Sequence, residues 1–301
     1  YALDADADGE LDAAEFGKTR GAMLASYMIA VYSGQALGQL LLTLGMDGRA
    51  LPFAMAAMLI SLAALPIALT RIASPEVSDA TPMGVSDLYR VSPLGCVGTI
   101  ATGLMFGAFY ALGAVYVLRE GGGVGEAAWF MTAVILGGVA LQIPLGRLSD
   151  RFDRRKVIVW LYGGTILSSL ALALAGAEGL ALSAMGAAFG GLGFALYPLC
   201  VAHTNDHLTP NQRVGASGGL VLLYSLGAAA GPFVAGGAMQ AIGPDGLFLF
   251  IALCAAGVFG FGLWRQWRTD PVPEAQQQDF AILPRTTPMA ASLDPRTGDT
   301  P

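Results

Sequence analysis

Eight stretches of this chain are apolar from end to end, and each is long enough to cross a lipid bilayer; no other feature limits the fold as tightly. They run over residues 21–44, 51–70, 93–118, 127–145, 157–175, 180–202, 220–242 and 247–264. A helix needs about 20 apolar residues to span the hydrocarbon core. Helices are the natural form, because an open strand in lipid leaves backbone groups unpaired. The competing reading is a water-soluble bundle of buried helices. Only 13% of the residues are charged, against about 25% in a typical soluble domain. That is too little polar surface to cover eight helices that are apolar all round. Short turns such as Met46-Asp47-Gly48 and Gly243-Pro244-Asp245-Gly246 separate the runs and join antiparallel neighbours. The expectation is an all-α integral membrane protein, a polytopic helical bundle in direct contact with the lipid bilayer.

The basic residues give the bundle two unlike ends. With eight spans, the loops alternate sides. One side collects Lys18, Arg20, Arg71, Arg90, Arg147, Arg151, Arg154, Arg155, Lys156, Arg213, Arg265, Arg268, Arg285 and Arg296, and the other only Arg49 and Arg119. Lysine and arginine accumulate on the cytoplasmic side of membrane proteins, so both chain ends are expected there, in a bacterial inner membrane. The net charge of −6 does not oppose this, since acids contribute little to orientation. Cys96, Cys200 and Cys254 all fall inside apolar runs and read as packing residues rather than a disulfide framework. No nucleophile elbow, nucleotide loop or zinc spacing is present, which argues against an enzyme and against nucleic acid as a partner.

The texture of the sequence divides the chain into five parts: an acidic segment (1–18), two helices (19–71), a polar Pro-containing linker (72–92), six helices (93–268) and a Pro-, Gln- and Thr-rich tail (269–301) read as disordered. An internal repeat joins the two helical parts. Arg20, Gly34 and Gly38 match Arg213, Gly227 and Gly231 in spacing, and Tyr32 and Tyr224 closely precede the glycines. The match links spans six apart, as a protein of two six-helix halves would show. Chain residues 19–268 then read as helices five to twelve of twelve, with four further helices expected before residue 1.

Between the fourth and fifth runs lies Gly146-Arg147-Leu148-Ser149-Asp150-Arg151-Phe152-Asp153-Arg154-Arg155-Lys156. Physically it reads as a latch. Gly146 lets helix ends approach closely, and Asp150 can accept from free amides at a helix N-terminus. Arg151, Arg154 and Arg155 suit carboxylates or lipid phosphates. Positive-inside topology alone would explain the bases, though not Gly146 or Asp150. The segment resembles the signature loop of the major facilitator superfamily, Gly-x-Leu-(Ala/Ser)-Asp-Arg-x-Gly-Arg-Arg, departing at Asp153 where that pattern has Gly. The resemblance implies a secondary carrier of two bundles, working by alternating access on a small-molecule substrate without a cofactor. It also places the partner of Asp150 near Thr19-Arg20-Gly21, so that Arg20 joins the gate. Gly227-Ala228-Ala229-Ala230-Gly231-Pro232, with Gly236-Gly237 beyond, resembles an element of superfamily antiporters. There it belongs to the equivalent helix of the first half, so antiporter character does not carry over. Small residues for close packing and a proline kink suffice. Residues 20–28 resemble a small bacterial group of the superfamily.

In that superfamily the cavity is lined mainly by helices one, four, seven and ten. Of these the chain holds 93–118 and 180–202, with Phe106, Phe109, Tyr110, Phe189, Phe194 and Tyr197 as candidates. Gln35, Gln39, Gln142 and Tyr224 are polar groups in other spans and need partners in protein or a wet cavity. Interhelical hydrogen bonds and aromatic packing would explain all of these equally. No Asp, Glu, Lys or Arg lies near the centre of any run. His203, Asp206 and His207 close the sixth run as a helix-end cluster or inner gate.

The front of the chain points elsewhere. Asp4, Asp6, Asp8, Asp12 and Glu15 stand at positions 1, 3, 5, 9 and 12 of an EF-hand calcium loop, with Gly9 at the turn, Glu10 offering its carbonyl and Leu11 at the eighth position. Ca2+ is the ion such a loop would take at 4–15. An acidic solvated connector would match as well, and the entering helix is absent. Two functions therefore compete: a carrier, and a calcium-responsive membrane sensor or scaffold.

Overall fold

A computed structural model describes residues 30–35, 37–38, 57–58, 61, 83–176 and 178–268. The described positions within the first two apolar runs are helical. From residue 83 onward the elements are α1 (Val85–Val91), α2 (Pro93–Arg119), α3 (Val124–Arg151), α4 (Arg154–Leu174), α5 (Gly179–Gly193), α6 (Leu196–Asn205), α7 (Pro210–Ile242) and α8 (Gly246–Arg268). Among the described residues six helical segments are long and apolar enough to cross a membrane, α5 and α6 together making one of them. They coincide with the last six apolar runs.

Local chemistry sets the helix ends. Pro93 opens α2, where its missing N–H costs nothing. Thr209 and Gln212 form a capping box at the start of α7. Gly243, at φ +91°, ends it, a conformation glycine adopts without a Cβ clash. The apolar run 180–202 breaks in its middle, at Phe194 and Ala195. Pro198 is the cause: its ring cannot accommodate the carbonyl four residues earlier, that of Phe194.

The spans alternate in direction, and cross-contacts show it. Tyr116 near the end of α2 donates to the Leu172 carbonyl near the end of α4 (2.7 Å). Glu126 in the first turn of α3 accepts from the Gly179 amide at the start of α5 (2.6 Å). At the opposite end Thr204 of α6 donates to Ser92 beside α2 (3.2 Å).

Two helix pairs form the frame, α2 on α7 and α3 on α5. Both are built on glycine. A Cβ at Gly103 or Gly107 would strike the Tyr224 or Ala228 carbonyl of α7, and one at Gly227 or Gly231 would strike the Ile100 or Leu104 carbonyl of α2. The repeat glycines thus bring two backbones together, the arrangement small residues permit in membranes. Gly137 and Gly190 do the same between α3 and α5, against Ala187 and Val134. Pro232 stands inside α7 without ending it. The core between these pairs is aromatic: Phe106, Phe109, Phe130, Phe189 and Phe248 are fully buried in one cluster.

Candidate functional site

The signature segment is helix for most of its length. α3 continues through Gly146 to Arg151, Phe152 turns the chain in an extended conformation, and α4 begins at Arg154. Asp153, the departure from the superfamily pattern, is the N-cap of α4, accepting from the Arg155 amide at 3.1 Å. A carboxylate there meets the positive end of the helix dipole, so the position has a capping role that Gly fills without a side chain.

Arg154 is the centre of this end. It is 1% exposed. Nη1 donates to both carboxylate oxygens of Asp206 (2.7 and 2.6 Å) and Nη2 to Asp150 (2.7 Å). The Asp206 side chain is as buried as Arg154, while Asp150 is a quarter exposed. One guanidinium therefore ties the last turn of α3, the first residue of α4 and the cap of α6. Ser149 braces it by donating to the Gly146 carbonyl (2.6 Å). Arg155 pairs with Asp153 at 3.4 Å, and its carbonyl accepts from Gln266 of α8 (3.4 Å). His203, nearly buried, sits edge-on to His207 with ring centres 5.0 Å apart. Of the ten basic residues in the described region, nine lie at this end and Arg119 alone at the other.

Several of the expected site residues come together here: Gly146, Asp150, Arg154 and Arg155. Arg151 is exposed beside them. Arg20, Gln39 and the loop 4–15 lie outside the described residues. Sequence reasoning noticed Asp206 only as part of a His-rich helix end; its partner is 52 residues away, a distance no local pattern spans. It also missed Asp153 as a cap, although an Asp directly before a helical run is the ordinary N-cap signal.

The cavity candidates sort by exposure. Phe106, Phe109 and Phe189 pack on one another inside the core, Phe106 and Phe189 stacking at 5.8 Å. Phe194, at the helix break, is edge-on to Phe106 (5.0 Å) and stacks on Tyr32 of the first run (6.0 Å). Tyr110 is 38% exposed. Tyr197 and Tyr224 meet edge-to-face at 5.1 Å. Gln142 is buried, and Gln35 Oε1 is buried without a partner among the described residues. At the Arg119 end α3 and α5 stay joined, the Gly179 amide donating to Glu126. They leave a groove of about 870 Å³ lined by Glu126, Trp129, Leu136, Glu178, Leu180 and Ser183 among others. Among the described residues no group of three His, Cys, Asp or Glu side chains could hold a metal ion.

Comparison with known proteins agrees with this architecture. The family model of the Major Facilitator Superfamily matches residues 94–293. A protein named uncharacterized MFS-type transporter YcaD from Salmonella dublin is 32% identical over 237 residues, 77% of this chain and 60% of the relative. The same-named protein of Salmonella enteritidis PT4 matches equally. That of Escherichia fergusonii is 31% identical over 239 residues, 78% of this chain and 61% of its own length. The chain thus spans about three-fifths of the length of these curated relatives. No solved structure matches it.

Proposed function

The chain belongs to the major facilitator superfamily, and on that premise we propose that it works as a secondary carrier for a small solute by alternating access. Membership makes it a multi-pass membrane protein and a transporter rather than an enzyme, and transporters of this superfamily need no cofactor. In our reading the six described spans are the second bundle of a twelve-helix protein. The helices of 19–71 close the first bundle, 72–92 links the two and 269–301 is a tail. The repeat of Arg20, Gly34 and Gly38 in Arg213, Gly227 and Gly231 supports it. The basic end faces the cytoplasm of a bacterial cell, in keeping with the positive-inside rule.

The observation that carries the proposal is the buried Arg154 held by Asp150 and Asp206. Two carboxylates face one guanidinium, and Asp150, a quarter exposed, is the one a further donor can reach. Taking charges out of water is expensive unless they are paired and hydrogen-bonded. A second bundle that offers amides or a cation, as Thr19-Arg20-Gly21 would, lowers that cost when the two halves close at this end. Opening removes the donor. The charge cluster then acts as a latch whose closed state is favoured electrostatically and whose release lets the cytoplasmic side open. Solute would sit between the latch and the aromatic core. Tyr110, Phe194, Gln142, Tyr197 and Tyr224, with Gln35 and Gln39 of the first bundle, supply its walls.

A thermal-shift screen of the purified protein against metabolites and drugs, followed by counterflow in proteoliposomes, tests this. A compound that raises the melting temperature is expected to exchange across the membrane. A bound compound that never exchanges contradicts the carrier. Calcium binding at 4–15 rests on the sequence alone, and calorimetric titration of Ca2+ with and without Asp4→Ala decides it. A calcium-driven structural change with no solute flux would favour the sensor instead.

A further inference from the structure

Three of the four tryptophans, at 160, 264 and 267, lie at the basic end of α4 and α8. These two helices pack antiparallel along a seam that is easily located. The Arg155 carbonyl meets Gln266, a Cβ on Gly262 would meet Val159, and one on Gly163 would meet Phe259. Each helical residue turns the side chain by 100°. Because the helices run in opposite directions, a step of one residue forward from the seam turns both of them to the same side of the pair. From Arg155 and Val159 that step reaches Lys156 and Trp160. From Gly262 and Gln266 it reaches Leu263 and Trp267. These four therefore line two banks of one groove. Lys156 and Trp267 stand at its mouth, and Trp160 and Leu263 one turn deeper.

All four are exposed, Trp160 at 78% and Trp267 at 87%. Lys156 makes no ion pair among the described residues, whereas its neighbours Arg154 and Arg155 are both spoken for by aspartates. A lone ammonium and an indole N–H at the water boundary, above an aromatic and aliphatic slot, match one occupant. It has a negative phosphate head and an acyl chain. We infer that the α4–α8 groove is a binding site for an anionic phospholipid, with the headgroup phosphate on Lys156 between the two tryptophans. Indoles favour the headgroup level of the bilayer, and a base near the surface attracts anionic lipid. The site also touches the latch. Arg154 opens the same helical turn as Lys156, and Gln266 ties α8 to that turn, so a bound lipid holds the α4 end that the latch uses.

The test is tryptophan quenching of the full chain in bilayers carrying acyl-brominated lipid. At equal mole fraction, brominated phosphatidylglycerol in a phosphatidylcholine bilayer is expected to quench more than brominated phosphatidylcholine in phosphatidylglycerol. One basic residue supplies a roughly fivefold preference. Lys156→Gln abolishes the preference, and Lys156→Arg keeps it. Trp160→Phe with Trp267→Phe removes most of the quenching that distinguishes the lipids, leaving that of Trp264 and, at the far end, of Trp129. Equal quenching by the two lipids overturns the site, and so does a preference that survives Lys156→Gln. Far-UV circular dichroism confirms that each variant keeps its helices, so neither result reduces to misfolding.

Discussion

Arg154 is the residue on which the basic end depends. Truncating one partner of a buried ion pair leaves the other charge uncompensated, at a cost of about 3 kcal/mol. Arg154→Gln strands the buried Asp206 carboxylate and is therefore expected to lower the melting temperature in detergent clearly. The double change Arg154→Gln with Asp206→Asn should recover part of it, because only the quarter-exposed Asp150 then keeps its charge. A double variant no more stable than the single one would show that the pair serves packing rather than charge balance. Asp150→Asn removes the more exposed partner and should alter transport kinetics at equal expression while leaving insertion intact. Glu120 makes a smaller, opposite statement at the other end. Burial, and then the neighbouring Asp245 carboxylate, raise its pKa above the usual carboxylate value. The folded state therefore binds its proton more readily than the unfolded chain does, so stability falls as pH rises through the raised value. Glu120→Gln should flatten that slope in a pH series of thermal unfolding. A slope unchanged in the variant would assign it to other groups.

Elements divide into those written in local chemistry and those that need a neighbour. The six later spans were readable from run length, with ends marked by Pro93 and Gly243, but the start of α7 at Pro210 was not, because its apolar run begins only at residue 220. The break within 180–202 was not, because hydropathy averages over Phe194 and Ala195, although Pro198 carried the signal. The residue types of the segment proposed as a latch were legible, yet its geometry was not. An eleven-residue pattern cannot tell that α3 runs through Gly146 to Arg151, nor that Asp206 closes on Arg154 across 52 residues. Aromatic candidates were the least legible, since a phenylalanine facing a cavity and one facing another ring look alike in sequence; Phe106 and Phe109 face rings. Glycine contacts were legible as a stripe and became specific only as pairs. Gly190→Val pushes a side chain into the Val134 carbonyl and should cost about 1–3 kcal/mol. Gly236→Val, where a Cβ meets nothing within 4 Å, should be close to neutral. Equal losses of melting temperature in the two would contradict the α3–α5 contact.

At the scale of the molecule, the described bundle has a basic end and an acidic end. The basic end holds nine of the ten described bases, with Arg154 tied to Asp150 and Asp206 among them. The acidic end carries Glu120, Glu126, Glu178 and Asp245, and Glu126 and Glu178 line the groove there. Alternating access requires that the aromatic middle be reachable first from one end and then from the other. Tyr110 is the position to follow, because it is exposed yet packed against Phe106 and Phe109. The decisive measurement places Tyr110→Cys in a background with Cys96, Cys200 and Cys254 replaced. The protein is reconstituted in vesicles and treated with a membrane-impermeant thiol reagent from one side or the other. A carrier predicts labelling from both sides, with Asp206→Asn shifting the balance towards the basic side as the latch weakens. Labelling from one side only, unchanged by Asp206→Asn, would contradict the account.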